Sequence, residues 1–180
     1  MAAEAPAQAA KRPRAPVGPV LGTVVPRFAG AGTFCRLPEL RDVVTADVAY
    51  LGVPFDGGCS FRPGARFGPS AIRQASRNLR TQWHPAYQAA PYTDYQAADA
   101  GDVSCNPFCI GDALTQARRH AVTQGLAGPA DAAACRCSPQ IQATADDVLT
   151  RAKALVCLGG DHTIALPLLR SVRPRGSGVT

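Results

Sequence analysis

The chain has 180 residues, a formal charge of +6 and 46% nominally apolar residues, which is room for about one domain. Ala alone supplies 33 residues, and Leu, Ile, Val and Phe together make 37 of 180, close to the level below which disorder sets in. There is no run of about 18 apolar residues, so no membrane span is predicted, and neither a repeat of fixed period nor a heptad seam is present.

Of the 19 basic residues 17 are Arg. They are scattered, and aromatics are 6%, so the basic stripe with stacking aromatics of a nucleic-acid protein is missing. The seven cysteines stand at 35, 59, 105, 109, 135, 137 and 157. No pair has the two-residue spacing of a zinc knuckle or redox motif. Free thiols in a reducing compartment are expected, hence a cytoplasmic location.

Residues 1–20 are Ala/Pro-rich without periodicity and read as a disordered arm. Lys11 to Arg14 (KRPR) fits a solvated charge run. The alternative for this stretch is a weak transit peptide to a mitochondrion or plastid. The folded part is expected over 21–172. Val48 to Val53 is a short apolar run ending at Pro54, the pattern of a strand buried on both faces. It opens into a turn-rich loop, 54–64. Gly68-Pro69-Ser70 starts a helix, with Pro in the first turn where its missing N–H is no loss. Ile72, Ala75, Ser76 and Leu79 are expected on its inner face, with Arg73, Arg77 and Arg80 on the other side.

A variable loop follows over 81–96, then a second short strand, Ala97–Val103. A helical stripe runs through Ile110, Leu114, Ala117, Ala121 and Val122. Residues 125–140 are Gly/Ala/Pro-rich and break it. Helical pattern resumes at Ile141 through Val148, Leu149 and Ala152. Leu155 to Leu158 is a third buried-strand run, exiting into Gly159-Gly160-Asp161-His162-Thr163 before a helix over Ile164–Val172. A Pro/Gly-rich tail covers 173–180. Strand, loop and helix in alternation predict α/β architecture with parallel strands. Ligands then bind at the carboxyl ends of the strands, which places loops 54–64 and 159–163 on the functional edge.

His162 projects from a strand end, where a neutral imidazole can bind a transition metal and Asp161 can orient it. One His is not a metal site, because catalytic sites take three or more protein ligands. His84 and His120 fall in a loop and on a helix. A phosphate loop and a dinucleotide fingerprint both fail on spacing. Cys157 lies within the strand run and reads as a core thiol. Asp56-Gly57-Gly58-Cys59-Ser60 offers backbone amides to a polar group and a carboxylate to a cation. A plain Gly-rich turn explains the same residues.

The segments Gly52 to Pro69 (GVPFDGGCSFRPGARFGP), Ile72-Arg73, Asp99 to Asp102 (DAGD) and Leu158 to Thr163 (LGGDHT) resemble the ureohydrolase (arginase/agmatinase) family, in its agmatinase and guanidinobutyrase branch. Arg27 to Gly30, Arg36 to Pro38 and Asn106 to Phe108 resemble the same branch. The match spans about 25–124 and 141–172. The resemblance implies an αβα sandwich on a parallel sheet, with about three strands of the full sheet in this chain. It implies a pair of Mn²⁺ ions bridging a hydroxide, a linear guanidino substrate (agmatine or 4-guanidinobutyrate), urea and an amine as products, and a homo-oligomer. A guanidinium carbon is a poor electrophile. A metal lowers the pKa of water from about 15.7 to about 7, which makes a nucleophile equal to it.

By the same resemblance His162 is a metal ligand and Asp161 its neighbour behind the metal. Asp56, Gly57, Gly58, Ser60, Arg62 and Arg66 are the substrate-loop candidates. Arg62 and Arg66 are able to meet a substrate carboxylate, or to form structural ion pairs. Two departures stand out. Residues 125–140 look inserted, whether as a surface loop or through a gene-model error. The family's remaining ligands come from two later strand ends, and no Asp or Glu follows Asp161. The expectation is therefore an amino-terminal half, inactive alone. The alternative is a non-catalytic subunit or regulatory fragment that associates with a full-length chain.

Overall fold

The computed structural model describes residues 15–79, 83–105 and 137–172. The expected helix over 110–124, His120, the Asn106 to Phe108 segment, most of the 125–140 insertion, Lys11 to Arg14 and the tail lie outside the described residues. The arm expected over 1–20 is described from residue 15. There Val17 N–H donates to Gln96 Oε1 at 2.8 Å and Val20 N–H to the Arg36 carbonyl at 3.0 Å, so this end of it is fastened to the body.

The strands are β1 (Ala46–Val53), β2 (Ala97–Asp102) and β3 (Ala152–Gly159). All pair in parallel, in the order β2-β1-β3. The helices are α1 (Gly68–Ser76), α2 (Pro91–Asp94), α3 (Cys137–Arg151) and α4 (Ala165–Val172), with short 3-10 turns at Phe34–Arg36, Leu40–Asp42, Ala65–Phe67 and His162–Ile164. The α/β class and three-stranded parallel sheet expected from the sequence are what the structure shows. α3 begins at Cys137, so the last residues of the 125–140 segment are helical.

β1 is central because its run is apolar on both sides. Ala49, Leu51 and Val53 are fully buried in one cluster with Ile141, Ala145 and Val148 of α3 and Ile164. Those α3 positions recur at the spacing of one helix face. Arg151, at its last turn, donates to the Leu40 and Val43 carbonyls at 2.7 and 2.6 Å. On the other side of β1, Tyr50 stacks on Phe34 with ring centroids 4.3 Å apart, in the smaller cluster of Cys35, Leu37 and Ala97. The sheet is thus covered on both faces, by α3 on one and by α1 with the lead-in on the other.

Two burial expectations are corrected. In α1 the inward stripe is Pro69, Arg73 and Ser76, while Ile72 and Leu79 are exposed. The reason is a buried ion network rather than an apolar face. Arg73 grips both oxygens of Asp99, from Nε at 2.8 Å and Nη2 at 2.9 Å, and also bonds Asp102 and the Gly101 carbonyl. Gly52 lies under this network, and a Cβ there would overlap the Asp102 carboxylate. In β3, Leu158 is buried but Val156 is 41% exposed, and Cys157 and Leu155 are only half-buried. Among the described residues β3 has β1 as its one neighbour, so its outer side is not enclosed as β1 is.

Removing one partner of a buried pair leaves the other charge unpaired, at about 3–5 kcal/mol. Arg73→Met is expected to destabilise the chain by about that much in urea denaturation. Arg73→Lys should not restore it, since one ammonium cannot replace a two-pronged grip.

Candidate functional site

Both loops at the functional edge leave their strands side by side, because β1 and β3 are parallel neighbours. β3 ends at Gly159 opposite Val53. The Asp161 N–H then donates to the Phe55 carbonyl at 2.8 Å. Gly160 makes this closeness possible: a Cβ there would overlap the Phe55 backbone. The Asp161 carboxylate ties the two loops a second time, accepting from Gly58 N–H at 2.6 Å.

Asp161 is also the N-cap of the His162–Ile164 turn, accepting from Thr163 N–H at 2.9 Å and from the Thr163 hydroxyl. An Asp two residues before its donor is the usual capping geometry. Thr163 was not singled out in the sequence, although Asp-x-Thr at a helix start is a readable signature. His162 is exposed at this turn. Among the described residues no hydrogen bond joins it to Asp161, whose oxygens face Gly58 and Thr163.

The 54–64 loop is organised around Asp56, which is buried. Asp56 accepts from Gly64 N–H at 2.7 Å and from Arg66 Nε at 2.7 Å, and Arg66 Nη2 completes the pair. Arg66, above all, holds the Asp56 carboxyl down to about 2, outweighing the opposing effect of burial. Arg66 and Asp56 are thus engaged with each other as an ion pair. Gly57, Gly58, Ser60 and Arg62 are exposed along the loop, and the Arg62 guanidinium sits 4.9 Å from the Phe61 ring centre. Cys59, exposed between them, has its thiol pushed up by partial desolvation and then by the negative charges of Asp161 and Asp56.

The described residues do not fit a metal pair. No group of three or more His, Cys, Asp or Glu among them is placed to hold a metal ion. His162 stands without further ligands beside it, and the nearby carboxylates of Asp56 and Asp161 are turned to Arg66 and to backbone donors.

Comparison with known proteins now bears on this edge. The arginase family model matches residues 46–179, well over half the chain. The chain belongs to the arginase family. It is 34% identical over 160 residues to a guanidinobutyrase of Pseudomonas aeruginosa, covering 87% of this chain and 42% of that protein. It is 32% identical over 148 residues to a mitochondrial agmatinase of Gallus gallus, covering 82% and 36%. Among solved structures, the proclavaminate amidino hydrolase of Streptomyces clavuligerus superposes with a TM-score of 0.61 at 30% identity, over 81% of this chain and 40% of that one. The chain therefore spans about two fifths of the length of these relatives. Among the described residues no helix is long and apolar enough to cross a membrane.

Two outcomes follow. An unfolded Asp titrates near pH 3.9, above the folded value of Asp56, so the Asp56 contribution is complete above about pH 4 and is lost as pH falls toward 2. The urea midpoint of the wild-type chain should fall across that window, and that of Asp56→Asn should not show this component. Gly160→Ala forces the two loops apart and should lower stability by about 1–3 kcal/mol, read as a drop in Tm.

Proposed function

We propose that the chain is the amino-terminal part of a hydrolase that splits a linear guanidino compound, agmatine or 4-guanidinobutyrate, into urea and an amine. The observation that carries this reading is the seat of His162 at the carboxyl end of β3, tied to the 54–64 loop, in a chain of the arginase family. The implied cofactor is manganese, which supplies the activated water a resonance-stabilised guanidinium needs. His162 would be its ligand from this chain. Asp161 supports that role by capping the turn on which His162 stands. Since the described residues do not assemble a full ligand set, no hydrolytic step is assigned to these 180 residues alone. Their share is to shape one side of the mouth. Gly57 and Gly58 bring backbone close to it, and Ser60 and Arg62 offer polar groups to the substrate.

A second reading, association with a complete chain as a non-catalytic subunit, is favoured by the side of β3 that has no strand neighbour among the described residues. Co-purification with a full-length ureohydrolase would support it.

The purified chain, given Mn²⁺ and either substrate, should release no urea. It should bind Mn²⁺ weakly, with binding reduced in His162→Ala, as read from the spectrum of free Mn²⁺. Mixed with the remaining carboxyl-terminal part of the P. aeruginosa guanidinobutyrase, it should restore urea release, and His162→Ala should abolish it. Urea release by the chain alone overturns the shared-site reading, and failure of His162→Ala to affect the mixture overturns the ligand role.

A further inference from the structure

Away from the functional edge, the lead-in before β1 builds a second polar cleft. Residues 15–38 contain no Asp or Glu but carry Arg27 and Arg36. These two approach Arg77, just past the end of α1, around a cavity of about 60 Å³ that Val20, Cys35 and Tyr92 also line. No carboxylate lines it. Among the described residues the ion pairs join other groups, so none of the three guanidinium groups is in an ion pair, although Arg36 also lines a second cavity with Glu39 and Asp42.

Their hydrogen bonds go instead to neutral carbonyls. Arg36 Nη2 donates to Val25 at 2.7 Å, and Arg77 Nη2 to Ala31 at 3.1 Å and Gly30 at 3.3 Å. Arg36 is 93% buried, since its exposure is 7%, yet its Nη1 is buried with no partner. A buried charged donor left open is costly, and it calls for a missing acceptor.

The backbone adds an independent sign. Cys35 and Arg36 both have positive φ, 50° and 61°, a region costly for residues other than Gly. Such strain persists where the surroundings enforce it and gathers at ligand clamps. Here it turns a cation inward that would otherwise point to water. Cys35 N–H is held by Ser76 Oγ at 2.7 Å, which fixes the turn against α1.

We propose that Arg27, Arg36 and Arg77 form an oxyanion-binding site, sized for one phosphate or carboxylate group. Guanidinium forks match the paired oxygens of such groups. The cavity is several times the roughly 10–15 Å³ that one water needs, so it admits a small oxyanion and not a nucleotide. The anion would join the lead-in to α1 and thereby steady the face of the sheet that carries Tyr50. The group comes either from free anion or from a carboxylate side chain of a second copy.

The test is calorimetric titration of the full 180-residue chain with inorganic phosphate at constant ionic strength, with chloride as control, beside sedimentation velocity. Saturable one-to-one phosphate binding is expected. Arg77→Gln and Arg27→Gln, at half-buried positions, should weaken it about tenfold or more each. Arg36→Gln should do the same, and the other two variants guard against its unfolding the turn. Binding to a monomeric chain supports a free anion. Self-association that phosphate dissolves supports the carboxylate of a second copy. Phosphate heats equal to those of chloride, or binding unchanged in all three variants, overturn the proposal.

Discussion

The fold depends on where the positive charge of Arg73 is placed. Its guanidinium reaches across from α1 to both oxygens of Asp99 in β2, and Asp99 in turn accepts from Phe34 N–H at 2.6 Å. One buried pair therefore fixes a helix, an outer strand and the lead-in to one another. Buried pairs rarely add much net stability, because desolvation offsets the attraction. Their use here is registration. α1 cannot slide or turn without leaving Asp99 alone in a dry site. Gly52 keeps the space clear beneath it.

That registration is passed on to the functional edge. α1 begins at Gly68, where a Cβ would overlap the Gly159 carbonyl at the end of β3. The loop between β1 and α1 is thus anchored at both ends, and Asp56 with Arg66 closes it across the middle. The carboxylates of Asp56 and Asp161 are engaged with Arg66 and with backbone donors, and they set loop shape. What remains outward at this edge is His162, Ser60, Arg62 and exposed loop backbone. Among the described residues His162 is not joined by enough His, Cys, Asp or Glu side chains to hold a metal ion.

β1 was legible because burial on both faces writes a continuous apolar run, and Val48 to Val53 is such a run. The motif residues at the functional edge were legible as a group for the same reason that the turns are: glycine and proline mark close approach. The orientation of α1 was not. Periodicity assigns the apolar side inward, and at Ile72 and Leu79 it pointed the wrong way, since the partner of Arg73 lies 26 residues along the chain. The Arg66 partner, ten residues back within one loop, was equally hidden. Spacing shows which residues share a face. It does not show which charges meet. Asp161 is the intermediate case: its cap to Thr163 is local and readable, while its bond to Gly58 spans 103 residues and is not.

The net charge of +6 carried little meaning while the arginines were a scattered set. The structure sorts several of the described ones by what they meet. Arg66 and Arg73 are matched by carboxylates, and they hold the loop and the helix. Arg151 and Arg77 are spent on backbone carbonyls, which accept hydrogen bonds but return no charge. Arg36 is in the same position with one nitrogen still unmet. Carbonyl partners are an adequate answer for a guanidinium at the surface, where water screens the rest. For one that is buried they are not, because the low local dielectric that strengthens each bond also raises the cost of uncompensated charge. That cost falls at the turn of Cys35 and Arg36, where the buried Nη1 of Arg36 has no partner.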